Sequence, residues 1–160
     1  MNFLRFVLLL SLAVWLGGLV FFPVVAQSAF STLPSQHLAG LVVRDSLTKL
    51  HWIGLTCGVV FLACSLVHDG LGFGRVRLFA VRHILVVTML VLTAISQFRI
   101  IPRMDTLRVA AGEISTLAPD NTIRSQFDSL HAWSVRLEEV VLVCGLIVLY
   151  LTARRFSALR

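Results

Sequence analysis

The sequence predicts an all-α integral membrane domain, a bundle of four transmembrane helices. Composition is the first observation behind this. Hydrophobic residues make up 58% of the 160-residue chain and charged residues only 14%, against roughly 45–50% and about 25% in soluble globular domains. The second is a mean hydropathy of +0.90. The third is the grouping of the apolar residues into four runs, each near the roughly 20 residues that cross about 30 Å of hydrocarbon. Lipid offers the backbone no hydrogen-bonding partners, and no alternating strand pattern is present, so each run is expected to satisfy itself as a helix. One domain over residues 1–160 follows from the length.

The spans are expected at 6–25, 47–67, 78–101 and 130–152. The first, "FVLLLSLAVWLGGLVFFPVV", follows Arg5 and runs into Val24-Val25-Ala26, which resembles a small-residue cleavage site. A signal-peptide core is only about 7–15 residues, so this longer run is expected to stay as a helix. In the second span Gly54 and Gly58, and in the first Ala13 and Gly17, are small residues four apart that let helices approach closely. The third span ends at "FRIIPRM". The fourth holds its apolar stretch from Val140 to Ala153, about 21 Å of helix, too short to cross the core alone.

The connections differ. "HDGLGFGRVR" is short, with Gly70, Gly72 and Gly74 as turn residues. The first and third are expected to be long, from residue 26 to 46 and from 102 to 129. In the third, Met104, Leu107, Ala111, Ile114 and Leu117 recur at helical spacing between charged residues, which predicts an extramembrane amphipathic helix between spans three and four. Pro119-Asp120 breaks it, and Asp120 or Asn121 then caps a fourth helix starting near Thr122.

Charge sets the expected orientation. Arg5, Arg75, Arg77, Arg82, Arg154, Arg155 and Arg160 cluster at one set of helix ends with a single acid, Asp69; the other seven acids lie opposite. The dense basic residues of the short loop and tail place both termini in the cytoplasm, in a bacterial inner (plasma) membrane. The net charge of +6 is spread along apolar runs, which suits lipid headgroups rather than nucleic acid. Cys57, Cys64 and Cys144 all fall inside apolar runs and read as small buried thiols. The partners expected are the bilayer and either a second copy of the chain or another membrane protein.

Two short anchors recur. Spans one and three end in an aromatic residue and a proline, and spans two and four open with Leu-His, as "KLHWIG" and "SLHAWS". Pro23 precedes His51 by 28 residues and Pro102 precedes His131 by 29. Two tandem helical hairpins of like orientation would give this pattern. His51 and His131 then lie at matching depth on diagonal helices, where two imidazoles could share a metal or flank a haem iron. His68 and His83 form a second pair at the other end. In the fourth helix, His131, Val135, Glu138 and Leu142 share one face, and Arg136 can pair with Glu139 three residues on. Arg136, Glu138 and Glu139 make a candidate intramembrane polar cluster, since ionisable groups at such depth face the bundle interior or water.

The segments "WLGGLVFFPVVAQSAF", "LTKLHWIGL", "FRIIPRMDTLR" and "RSQFDSLHAWSVRLEEVVLV" together resemble the four-helix family typified by transmembrane protein 205. The resemblance rests on Pro23, on Pro102, Arg103 and Met104, and on Phe127, Leu130, His131 and Ser134. It implies a membrane protein without an agreed biochemical activity, non-enzymatic in expectation. Glu138 and Glu139 depart from the neutral polar residue common there. More distantly, the tandem-hairpin plan is similar to copper-resistance D-type membrane domains and haem-associated protoporphyrinogen oxidases, which implies haem b or copper on His51 and His131. A small oligomeric transporter or channel using Arg136, Glu138 and Glu139 is the other alternative. No nucleophile elbow, phosphate loop or zinc-protease helix occurs.

Overall fold

The computed structural model describes residues 2–73 and 80–157. Gly74, Arg75, Arg77 and Arg160, on which part of the loop and orientation reading rests, lie outside them. Helices α1 (Asn2–Thr32), α2 (Gln36–Phe73), α3 (Val81–Ile95), α4 (Ile101–Ala111) and α5 (Thr122–Ser157) follow one another, with a π-helical turn at Ser96–Ile100 and a 3-10 turn at Ile114–Thr116. Three helical stretches are long and apolar enough to cross a membrane: Asn2–Thr32, Gln36–Leu71 and Val81–Ala111. The fourth long helix, α5, is not among these three.

Packing is sequential around a ring. α1 lies against α2, α2 against α3, α3 against α5 and α5 against α1, which leaves α2 and α5 on a diagonal. The core forms where one stripe of each helix turns inward: Leu8, Leu12, Trp15, Leu16 and Leu19 of α1 meet Leu50 and Phe61 of α2, Val86 and Met89 of α3, and Val141 and Val148 of α5. The expected Gly54–Gly58 contact face holds. Both glycines sit under the Trp15 indole, and a Cβ at Gly58 would lie 2.8 Å from that ring and 2.6 Å from Leu90 Cδ2. Ala13 and Gly17 instead face outward, with nothing near Gly17. Large apolar side chains cover the outer surface of every long helix, among them Phe21, Val59, Val91 and Leu146.

The helices outrun the expected spans. α1 passes through Pro23 to Thr32, and α2 begins at Gln36, where Ser35 Oγ accepts the Leu38 N–H at 3.1 Å. The long first connection is therefore a turn of Leu33–Ser35. At the other end, α2 runs through Gly70 and Gly72 to Phe73. Without a competing tertiary demand, glycine permits a turn but does not force one.

The expected separate amphipathic helix is also absent from residues 101–117. α4 continues α3 through the π-helical turn, and Met104 and Leu107 point into the bundle. The Ile101 N–H donates five residues back, to the Ser96 carbonyl. Pro102 then falls in the first turn of α4, where its missing N–H costs least. The chain ends α4 at Gly112, whose φ of 69° suits glycine. α5 starts at Thr122 as expected, capped by Asn121 Oδ1 accepting the Ile123 N–H at 2.8 Å.

At the end of the bundle near the chain termini, all four long helical stretches meet in charge. Asp69 of α2 is fully buried between Arg82 of α3 at 2.6 Å and Arg155 of α5 at 2.9 Å. Arg5 of α1 donates to His68 Nε2 at 3.3 Å, and Ser65 Oγ lies 2.7 Å from His83 Nε2. His68 and His83 thus serve one buried network with Asp69, and each takes its own partner.

Two outcomes follow. Gly58→Leu should lower stability by about 1–3 kcal/mol through overpacking, measured by unfolding in mild detergent. Asp69→Leu should cost more, about 3–5 kcal/mol, because Arg82 and Arg155 lose their common counter-charge. A loss under about 1 kcal/mol would mean that these guanidiniums reach water.

Candidate functional site

The opposite end of the bundle holds a polar core beneath a cavity. His51, on α2, is 1% exposed. Its Nδ1 lies 2.9 Å from Gln97 Oε1 in the π-helical turn, and its Nε2 lies 2.6 Å from Glu138 Oε1 on α5. Three helical elements distant in sequence therefore converge on one imidazole. Thr93 of α3, Ser96 of the π-helical turn and Ser134 of α5 add buried hydroxyls.

The hydrogen bonds constrain the protons. With Oε1 of Gln97 turned toward the ring, Nδ1 is the donor of this bond. Nε2 and Glu138 Oε1 then share one further proton, as imidazolium and carboxylate or as imidazole and carboxylic acid. Either way the pair is neutral overall. Turning the Gln97 amide by half a turn presents its N–H to Nδ1 and matches the form with that proton gone, which carries one negative charge. Glu138 Oε2 is buried and, among the described residues, has no hydrogen-bond partner.

Above this core a cavity of about 740 Å³ opens between α1, α2, α4 and α5. Leu19, Phe22, Leu47 and Leu142 form its apolar part, and Glu138 lines it as well. Arg44 of α2 reaches Asp105 of α4 with both Nε and Nη2, and Arg108 meets the same carboxylate at 3.4 Å. These ties fix α2 against α4 along the rim. Arg108 also lies 5.0 Å over the Phe127 ring, and Arg124 donates to the Leu117 carbonyl at 2.7 Å, which holds the connection to α5.

The residues singled out in the sequence separate here. His131, Val135, Glu138 and Leu142, placed on one face by their spacing, all line the cavity. So do Pro23, Met104, Phe127 and Ser134, whereas Pro102 and Arg103 face outward and Leu130 is half-buried. Arg136 and Glu139 are exposed, and Arg136 stacks 5.6 Å over Trp133 instead of pairing with Glu139. His51 and His131 differ: the first is buried in hydrogen bonds, the second exposed at the cavity.

That difference bears on haem or copper. Both His51 nitrogens are taken, so the ring offers no lone pair to a metal. No group of three or more His, Cys, Asp or Glu suited to a metal ion occurs among the described residues. His51, bonded in this way, does not fit a metal or haem site shared with His131. Sequence reasoning missed Gln97 and the weight of Asp69. The available signals were the polar interruption Thr93, Ser96 and Gln97 in an apolar run, and Asp69 as the one acid among the basic helix ends.

Gln97→Leu removes the acceptor of the Nδ1 proton and should cost about 1–3 kcal/mol. His131→Ala, at an exposed position, should leave stability nearly unchanged. Thermal unfolding of both variants beside the wild type checks the contrast.

No curated protein and no solved structure matches the chain. Residues 10–113 match the family model described as Domain of unknown function (DUF4149). The match runs from α1 through α4 and takes in His51, Gln97, Asp69 and Arg82, while Glu138 and the rest of α5 follow it. It spans more than half of the sequence, and the protein therefore belongs to the DUF4149 family.

Proposed function

We propose that the chain is a four-span, transmembrane protein 205-like member of this family. It is not an enzyme; it binds a small apolar or amphiphilic molecule in the cavity between α1, α2, α4 and α5. The observation that carries this reading is the cavity itself. Its volume falls within the range of about 300–1,000 Å³ usual for small-molecule sites, and it pairs apolar walls with a few polar groups. The polar core below it holds no serine or cysteine nucleophile beside a base, so binding explains the arrangement better than turnover.

α5 is the fourth span on this reading. Val143, Leu146, Ile147 and Tyr150 are exposed along it like the outward residues of the other helices. Its charged groups flank the apolar stretch from Val140 to Ala153: Glu138 meets His51 before it and Arg155 meets Asp69 after it. The termini then share one side, the cytoplasmic face of an inner membrane by the placement of the arginines.

Naphthylmethanol, an uncharged apolar probe, tests the cavity. By titration calorimetry into protein in phosphatidylcholine nanodiscs, it should bind above the empty-nanodisc background. Ala26→Trp, which fills the cavity, should weaken that binding about tenfold or more. Equal binding by this variant would refute the site.

A further inference from the structure

We infer that the cavity selects a hydrophobic organic cation, an apolar body bearing one protonated amine, and that binding displaces the proton shared by His51 and Glu138. The inference rests on the cavity reading and names its ligand class.

Charge balance at the cavity floor is the first reason. With its shared proton the His51–Glu138 pair is neutral; without it, the pair carries one negative charge in an apolar setting. An unpaired buried charge is costly, so the deprotonated form requires a cation close by. Glu138 is the residue that would meet it: its side chain lines the cavity, and a turn of its carboxyl group would present Oε2, which is buried and unpartnered among the described residues, to the ligand. An ammonium N–H supplies the donor that this oxygen lacks. The exchange balances: the protonated pair and the free cation give the bound cation, the carboxylate with neutral imidazole, and one proton released to solvent.

The surrounding charges favour a cation over an anion. α1 gives the cavity no charged residue, only apolar ones such as Phe22 and Phe30. From α2 come His37 and Arg44, and from α4 comes Arg108. Both of these arginines are tied to Asp105. The connection before α5 gives Glu113, and α5 gives Arg124, Asp128, His131 and Glu139. Of the charged residues that line the cavity, Glu113, Asp128, Glu138 and Glu139 outnumber Arg44, Arg108 and Arg124. Arg124 is itself 3.9 Å from Asp128. An anionic ligand would find its arginines already engaged.

The apolar wall supplies the rest of the selectivity. Phe22, Leu47 and Leu142 suit a hydrophobic body and offer nothing to a hydrated metal cation. The ligand class is accordingly an alkyl- or aryl-substituted ammonium.

The test compares three probes of one shape: naphthylmethylammonium, naphthylmethanol and naphthoate. Each is titrated into wild-type protein in phosphatidylcholine nanodiscs, in two buffers of different ionisation heat. The cation should bind tightest. It should release close to one proton, and its affinity should rise about tenfold per pH unit while the free pair holds its proton. Glu138→Gln should weaken the cation about tenfold or more and abolish both proton release and pH dependence, while leaving naphthylmethanol binding in place. Asp120→Asn, exposed and outside the cavity lining, should behave as wild type. If naphthylmethanol binds as tightly as the cation and no proton is released, the cation inference fails while the cavity reading stands. If naphthoate binds best, the rim arginines are the recognition element and the inference is overturned. If none of the three binds, both readings fall. The wild-type proton count decides the matter even if Glu138→Gln does not fold.

Discussion

Helices α2 and α5 lie on the diagonal of the ring, and charge joins them at both ends. His51 meets Glu138 at one level and Asp69 meets Arg155 at the other. The two steps are 18 residues on α2 and 17 on α5, about 27 and 26 Å of parallel helix. Such equal spacing fixes the register of one helix against the other, a role that apolar packing fills poorly across a diagonal. In an apolar interior a polar group without a partner is costly. Each pairing therefore rules out shifts of register that would part the two levels. The ring contacts supply the bulk of the cohesion, and the diagonal pairs specify which bundle forms.

The π-helical turn is subordinate to that constraint. One extra residue between Ser96 and Ile100 changes the phase of the helix by roughly a third of a turn. Gln97 in this turn reaches His51, while Met104 and Leu107 still face inward beyond Pro102. An uninterrupted α-helix would present one of these sets inward at the expense of the other. Local irregularity is thus tied to the polar core. Trp15, wedged over Gly54 and Gly58, does comparable work on the apolar side by holding α1 close to α2.

Much of this was legible in the sequence, and the misses share a cause. Hydropathy located three membrane-length helices, because the signal is local and composition carries it. Asn121 and Thr122 marked the start of α5 because a cap is a matter of neighbouring atoms. The shared face of His131, Val135, Glu138 and Leu142 followed from helical period alone. Pro23, Pro102, Gly70 and Gly72 misled, since each permits a break that the tertiary contacts here do not use. The partner of His51 was the deepest miss. Depth and diagonal placement suggested His131, but geometry chose Gln97 and Glu138, 46 and 87 residues away. No periodicity encodes which of several polar residues on a distant helix turns inward. The same non-locality hid Asp69, whose partners come from α3 and α5.

The length of α1 and α2 beyond the outer polar level carries a consequence for access. α2 begins 15 residues before His51, about 22 Å further out. The two polar levels themselves are separated by nearly the thickness of a hydrocarbon core, roughly 30 Å. In a bilayer the cavity then sits at headgroup depth, walled by helices that project through that zone. A molecule dissolved in the leaflet then lies at the depth of the cavity. Occupancy would follow the amount of ligand in the lipid phase, so a weak intrinsic affinity could be saturated by a compound scarce in water but concentrated by partitioning.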